Sequence, residues 1–223
     1  MKKTEVLLPG TGLLERSAAI VPTRKRPKPG ERRVQILQAL ATMLEQPGAE
    51  RVTTAALAAR LGVSEAALYR HFASKAQMFE KLIDFIEQSV FTLIDQILEQ
   101  SGAASFANGH PSGHRAGRIV TMLLQFAEKN PGMARVMVGD ALVFENERLQ
   151  HRMNQFFDKI ETTLHQTLHD IAAGQDLSTS TANAQMRASA LTAFMVGRLQ
   201  RYARSGFRRA PSEHLEATIT LLV

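Results

Sequence analysis

Five side chains that donate hydrogen bonds stand close together in the first third of the chain: Ser64, Tyr69, Arg70, His71 and Lys75. Hydroxyl, guanidinium, imidazole and ammonium groups in such proximity suit phosphate oxygens and base edges. A small residue among them, Ala66, would let a helix approach a base pair closely. The chemistry implied is recognition of a nucleic-acid duplex.

Such groups read DNA only if two short helices present them, and the stretch TTAALAARLGVSEAALYRHFASK at 53–75 predicts that pair. Thr53 or Thr54 supplies an N-cap. Leu57, Ala58 and Leu61 then form an apolar stripe, and Gly62 follows where a left-handed cap or sharp turn is needed. Ser64 is a second N-cap within three residues of that turn, which is the helix-turn-helix spacing. The second helix turns Ala67, Leu68 and Phe72 inward and Glu65, Ala66, Tyr69 and Arg70 outward. Ser74 and Gln77 form a capping box that opens a further helix with Lys75 in its first turn. A plain α-hairpin with a solvated polar face is the competing account, and charge decides against it. Residues 24–75 carry ten Lys+Arg and four Asp+Glu, whereas the remainder carries seventeen of each, so all of the net +6 falls in this module.

Composition excludes several classes. The 223 residues suffice for an ordinary core. Cysteine is absent, so no disulfide, thiolate metal site or cysteine nucleophile exists, which fits a reducing cytoplasm. The N-terminus superficially resembles a signal peptide, but Pro9, Gly10, Gly12, Glu15 and Arg16 interrupt its apolar run. No stretch approaches the roughly 18 apolar residues of a membrane span. Residues 1–29 read as a disordered basic leader. Arg24, Lys25, Arg26 and Lys28 are suited to phosphates or a minor groove, or else form an inert solvated segment.

Helical periodicity continues behind the hairpin. Glu31 to Gln46 predicts a helix stopped by Pro47-Gly48, and Ser74 to Glu99 a long one. Residues 101–117 read as a linker, 118–128 as a helix, and Asn130-Pro131-Gly132 as a break before a short helix ending near Gly139. A long amphipathic helix is expected over 141–172, a polar loop over 174–181, a large helix over 182–204, and a last helix from Ser212. No alternating strand pattern occurs, so the fold class is all-α. The divisions are a helix-turn-helix domain at 30–76 and a helical dimerisation and partner-binding domain at 77–223. One recognition helix reads few base pairs, which implies a homodimer joined through the helices at 145–172 and 182–204. His165 and His169 have a zinc-compatible spacing without a third ligand. His110 and His114 fall in the linker. No phosphate-binding loop or catalytic triad fits this frame, so no enzyme, cofactor or metal is expected.

The module at 31–79 resembles the DNA-binding domain of TetR-family regulators. Val52-Thr53-Thr54-Ala55, GVSEAALYRHF at 62–72, LIDFIEQS at 82–89, EKNPG at 128–132 and ALVFENERLQHRMNQFFDKIE at 141–161 are similar, further, to the nucleoid occlusion branch of that family, over roughly 31–210. The resemblance implies a cytoplasmic, nucleoid-associated dimer on palindromic double-stranded DNA that captures the C-terminal tail of FtsZ and inhibits Z-ring assembly. Carried over residue by residue, the DNA contacts are Thr53, Thr54, Ser64, Ala66, Ala67, Tyr69, His71 and Lys75. Tyr69, His71 and Lys75 would hold phosphates, and Ser64, Ala66 and Ala67 would approach bases. The implied tail contacts are Phe85 as apolar anchor, Lys129 as charge partner and Asn130 as polar cap. Phe85 also has the spacing of a core residue. Leu93, Met122 and Gln125 occupy groove positions where the chain departs from the pattern. The alternatives are a TetR-type ligand-responsive repressor and a structural nucleoid protein without sequence preference.

Overall fold

The computed structural model describes residues 30–46, 52–99, 115–171 and 177–222. Every regular element among them is helical: α1 Glu31–Leu44, α2 Thr54–Leu61, α3 Glu65–Tyr69, α4 Lys75–Glu99, α5 Arg115–Lys129, α6 Pro131–Met137, α7 Glu147–Ile171, α8 Leu177–Arg204 and α9 Leu215–Leu222, with a single 3-10 turn at Asp140–Leu142. The leader and the 100–114 segment lie outside the described residues, so the expectations for Arg24, Lys25, Arg26, Lys28, His110 and His114 go with them.

One apolar core runs from Ile36 in α1 to Ile219 in α9. Helix α4 threads it, burying Met78, Phe79, Leu82 and Ile83 beside the hairpin and Ile86, Val90, Ile94 and Ile97 further along. These positions recur at three and four residues, so one stripe of a single helix serves both halves of the chain. Helices α7 and α8 pack along one another. Phe156, buried on α7, lies edge-on to Phe91 at 5.9 Å and to Phe157 at 5.1 Å.

Several boundaries differ from expectation. The helix expected from residue 141 begins at Glu147, because Gly139 adopts φ 83° and only a 3-10 turn follows. Asn146 then restarts the chain, its Oδ1 accepting from the Arg148 N–H at 3.0 Å. Residues 177–181, expected as loop, open α8. Residues 115–117, expected as linker, belong to α5, where Ala116 and Gly117 are buried. The last helix starts at Leu215 rather than Ser212.

Helix α6 docks on α1 at Gly132, where an added Cβ would lie 2.0 Å from the Ala41 carbonyl oxygen. Arg135, one turn on, is 4% exposed; its Nη1 donates to the Gln46 carbonyl at 2.8 Å and its guanidinium lies 4.8 Å from the Phe207 ring centroid. The short helix thus ties the C-terminal end of α1 to the segment after α8. Gly132→Ala is expected to force these backbones apart and cost about 1–3 kcal/mol, the usual range for overpacking. A thermal melt unchanged from the parent would contradict this.

Candidate functional site

The hairpin geometry follows from its caps. Thr53, extended at φ −99° and ψ 153°, accepts from the Ala56 N–H at 3.2 Å and so is the N-cap of α2. Gly62 closes α2 in the left-handed region at φ 63°, and the Val63 N–H reaches the Ala58 carbonyl at 3.0 Å. Ser64 accepts from the Ala67 N–H at 3.3 Å and starts α3. The Thr54 hydroxyl donates to Glu65 Oε2 at 2.6 Å, fastening the start of α2 to the start of α3. Glu65 is solvent-exposed as expected, yet it also sets the angle between the two helices.

Leu68 and Phe72 face inward and are buried. Ala66 and Arg70 are exposed, Tyr69 is 46% exposed, and Ala67 and His71 are half-buried. The Arg33 Nε donates to the His71 carbonyl at 3.0 Å while its guanidinium lies 5.7 Å from the Phe72 ring centroid. That contact holds the end of α3 against α1, and the sequence did not announce it. Ser74 accepts from the Gln77 N–H at 3.1 Å, and the Gln77 amide oxygen accepts from Ala73 N–H at 2.7 Å. The capping pair therefore forms as expected, one residue earlier on its return leg.

Lys75 stands apart from its neighbours in the set. Its ammonium is ion-paired with Glu145, in the turn before α7, and lies 5.7 Å from the Phe79 ring centroid. The pair is the first rung of a ladder between α4 and the start of α7. Arg148 faces Glu80 at 3.5 Å, and Arg152 meets Asp84 at 2.5 Å and Glu87 at 2.8 Å. Partial burial pushes the Asp84 carboxyl upward, but hydrogen bonds from Lys81 and Arg152 and their charges outweigh that and hold it below its ordinary value of 3.8.

The second group of expected residues is spread along two other elements. Phe85 lies on α4 and is 50% exposed, so it is not a core side chain despite its spacing with Leu82 and Ile86. Lys129, the last residue of α5, is exposed. Asn130 is half-buried and its Nδ2 donates to the Phe126 carbonyl at 2.7 Å, so it caps α5. Helices α4 and α5 pack side by side. His165 and His169 sit one turn apart on α7 with ring centroids 6.1 Å apart, and no group of three metal-binding side chains occurs among the described residues. No described helix is long and apolar enough to cross a membrane.

Solved structures with this fold include the regulator FadR of Bacillus subtilis in complex with stearoyl-CoA, at TM-score 0.62 and 13% identity over 85% of this chain and 97% of that one. NalD of Pseudomonas aeruginosa, a secondary repressor of a multidrug efflux pump, matches at TM-score 0.63 and 16% identity over 86% and 95%. The model for bacterial regulatory proteins of the tetR family matches residues 36–82, and the SlmA-like model described as tetracyclin repressor-like, C-terminal domain matches 113–223. The fold and hairpin define a helix-turn-helix DNA-binding protein of the TetR class. The chain is 48% identical to the nucleoid occlusion factor SlmA of Marinomonas sp. over 186 residues, 83% of this chain and 90% of the relative. It is 45% identical to the same factor of Colwellia psychrerythraea over 86% and 93%. It belongs to the SlmA family of nucleoid occlusion factors.

The depressed Asp84 carboxyl has a testable sign. A carboxyl lowered on folding stabilises the native state above its unfolded value near 3.8, and that contribution is lost as pH falls through the folded value. Asp84→Asn should flatten the acid limb of the melting-temperature profile below about pH 4 and change little near neutrality beyond loss of a half-exposed ion pair. Parallel acid limbs for the two proteins would refute it.

Proposed function

We propose that this chain binds palindromic chromosomal sites as a homodimer and, while bound, captures the C-terminal tail of FtsZ, restraining Z-ring assembly over the nucleoid. The observation that carries the tail-binding half is Phe85. Helix α4 buries eight apolar side chains, yet this phenylalanine stands half in solvent. A large exposed aromatic flanked by polar groups is the anchor a short peptide needs. Lys129 supplies a free-standing positive charge for an acidic tail, and Asn130, by capping α5, shapes the end of that helix more than it reaches outward.

On DNA, Ala66 and Tyr69 form the open face of α3, with Ser64 at its start. The hydroxyls of Thr53 and Ser64 accept from backbone and retain their own proton to donate to a phosphate. Thr54, whose proton goes to Glu65, acts as an acceptor or a positioning residue. Ala67 faces partly inward and reaches a thymine methyl only at its edge. His71 and Lys75 flank the phosphates. Lys75 must exchange Glu145 for a phosphate, so Glu145 is a competitor built into the C-terminal half. The dimer forms through the outer faces of α7 and α8. There Met186 is 63% exposed, and a cleft of about 440 Å³ is lined by Met153, Phe157 and Val196 among others.

Two measurements test the two halves. Anisotropy of a labelled FtsZ-tail peptide should report binding that tightens on adding the selected palindromic duplex, with Phe85→Ala weakening it at least tenfold; no tail binding with or without DNA would sink the tail-binding reading. For DNA, Lys75→Ala should weaken binding across sequences and reduce the slope of log K against log salt by about one contact. Glu145→Gln should tighten binding severalfold. Unchanged slopes in the first variant, or weaker binding in the second, would remove Lys75 from the phosphate set.

A further inference from the structure

Between Asp176 and Glu213 the chain has six arginines and not one acidic residue. Four of them, Arg201, Arg204, Arg208 and Arg209, follow one another at the end of α8 and in the segment that leads to α9. Arg201, Arg208 and Arg209 line an open cleft of about 730 Å³ with Ala210, Ser212 and Glu213.

The segment that shapes this cleft is built rather than loose. Gly206 at φ 63° and Phe207 at φ 64° are consecutive left-handed residues, a conformation a phenylalanine adopts only when its surroundings insist. The Phe207 ring packs edge-on against Tyr202 at 5.1 Å and under the buried Arg135. Ser205 staples the turn: its Oγ accepts from the Arg208 N–H at 3.1 Å and the Arg209 N–H at 3.0 Å and donates to the Tyr202 carbonyl at 2.9 Å. The Arg208 Nε donates to the Ser205 carbonyl at 2.9 Å. At the far side Ser212 donates to Glu128 Oε2 at 2.6 Å, which also occupies the nearest carboxylate of α5. Glu213 is the one acidic side chain of the lining, and it faces His214 at 3.8 Å. Three guanidiniums against one carboxylate leave the cleft with a net charge of +2.

We propose that this cleft binds a compact, multiply charged phosphate anion of the pyrophosphate or tripolyphosphate type, free or carried on a nucleoside. Guanidinium forks match tetrahedral phosphate oxygens and hold several at once. Ala210 is the only apolar side chain of the lining, so neither the anchor of a peptide nor the body of an apolar metabolite has a seat there. The site is separate from the DNA face. Arg33 near the start of α1 touches the end of α3, whereas Gln46 beyond its other end touches Arg135, and α1 spans about 21 Å between them. It is also connected to that face, since the Phe207 ring that shapes the turn is the ring on which Arg135 stacks, and Arg135 holds the Gln46 carbonyl just beyond the end of α1.

The test is a calorimetric titration of the full chain with sodium tripolyphosphate at fixed ionic strength, with sulfate at matched ionic strength as reference. Expected is saturable binding of one anion per chain, at least tenfold tighter than sulfate, weakened at least tenfold in the Arg201→Ala/Arg209→Ala double variant. The same titration of Lys75→Ala should match the parent. Because both arginines are exposed, the double variant should keep the parent's melting temperature, and Arg201→Lys/Arg209→Lys should fall between parent and alanine variant. Binding no tighter than sulfate would overturn the proposal, as would equal loss in Lys75→Ala. Binding through these arginines of an acidic peptide or anionic vesicles, with none of tripolyphosphate, would overturn it too.

Discussion

Helix α4 has to pack against both the hairpin and the C-terminal helices within one continuous core, and most of the molecule follows from how it does so. Its first two turns close the hairpin through Met78 and Phe79, and its later turns bury Val90, Ile94 and Ile97 among the C-terminal helices. A rigid helix with one apolar stripe cannot tilt toward one end of that core without unpacking the other. The direction of α4 is therefore common property of the DNA-reading unit and the helices behind it. The rungs to α7 refine that direction. Each ion pair is partly solvated and individually weak, but Lys75–Glu145, Glu80–Arg148 and Asp84/Glu87–Arg152 lie in sequence along one edge and hold it against sliding.

The α1–α6 contact supplies the second restraint. Gly132 lets two backbones meet where any side chain would separate them, and Arg135 spends its buried charge on a single carbonyl and a ring. A buried guanidinium so held is costly to displace. Together, α4 and α6 leave the hairpin little freedom relative to the rest of the chain, which is the arrangement required if events on one side are to be felt on the other.

What the sequence made legible was local chemistry. Thr53, Gly62, Ser64 and the Ser74–Gln77 pair act on backbone groups three or four residues away, and each performs the expected task. Phe85 shows where that kind of reading stops, since its spacing fits the core stripe as well as an exposed anchor, and only the direction of neighbouring helices decides. Lys75 and Glu145 are seventy positions apart, so their pairing has no local trace. The start of α7 has no clear sequence mark, because Ala141, Leu142 and Leu149 keep helical spacing across a break made by Gly139 and Asn146. Residues 177–181 are polar enough to mimic a loop, yet the helix they open is sustained by packing further along α8. The arginines at and just after the end of α8 are hidden in a balanced total, because seventeen acids outside residues 24–75 cancel seventeen bases in the sum though not in space.

Helix α3 is five residues long, far below the length at which a helix stands alone in water. Its shape is lent by others: Ser64 before it, the Thr54–Glu65 bond beside it, Leu68 beneath it and Arg33 holding the residue after its last turn. Of its outer positions only Glu65 takes part in that support, and exposed Ala66 contributes almost nothing to keeping it folded. A scaffold of this kind separates the ability to fold from the identity of an exposed side chain such as Ala66, so a substitution there can change what the helix presents without first costing the chain its structure.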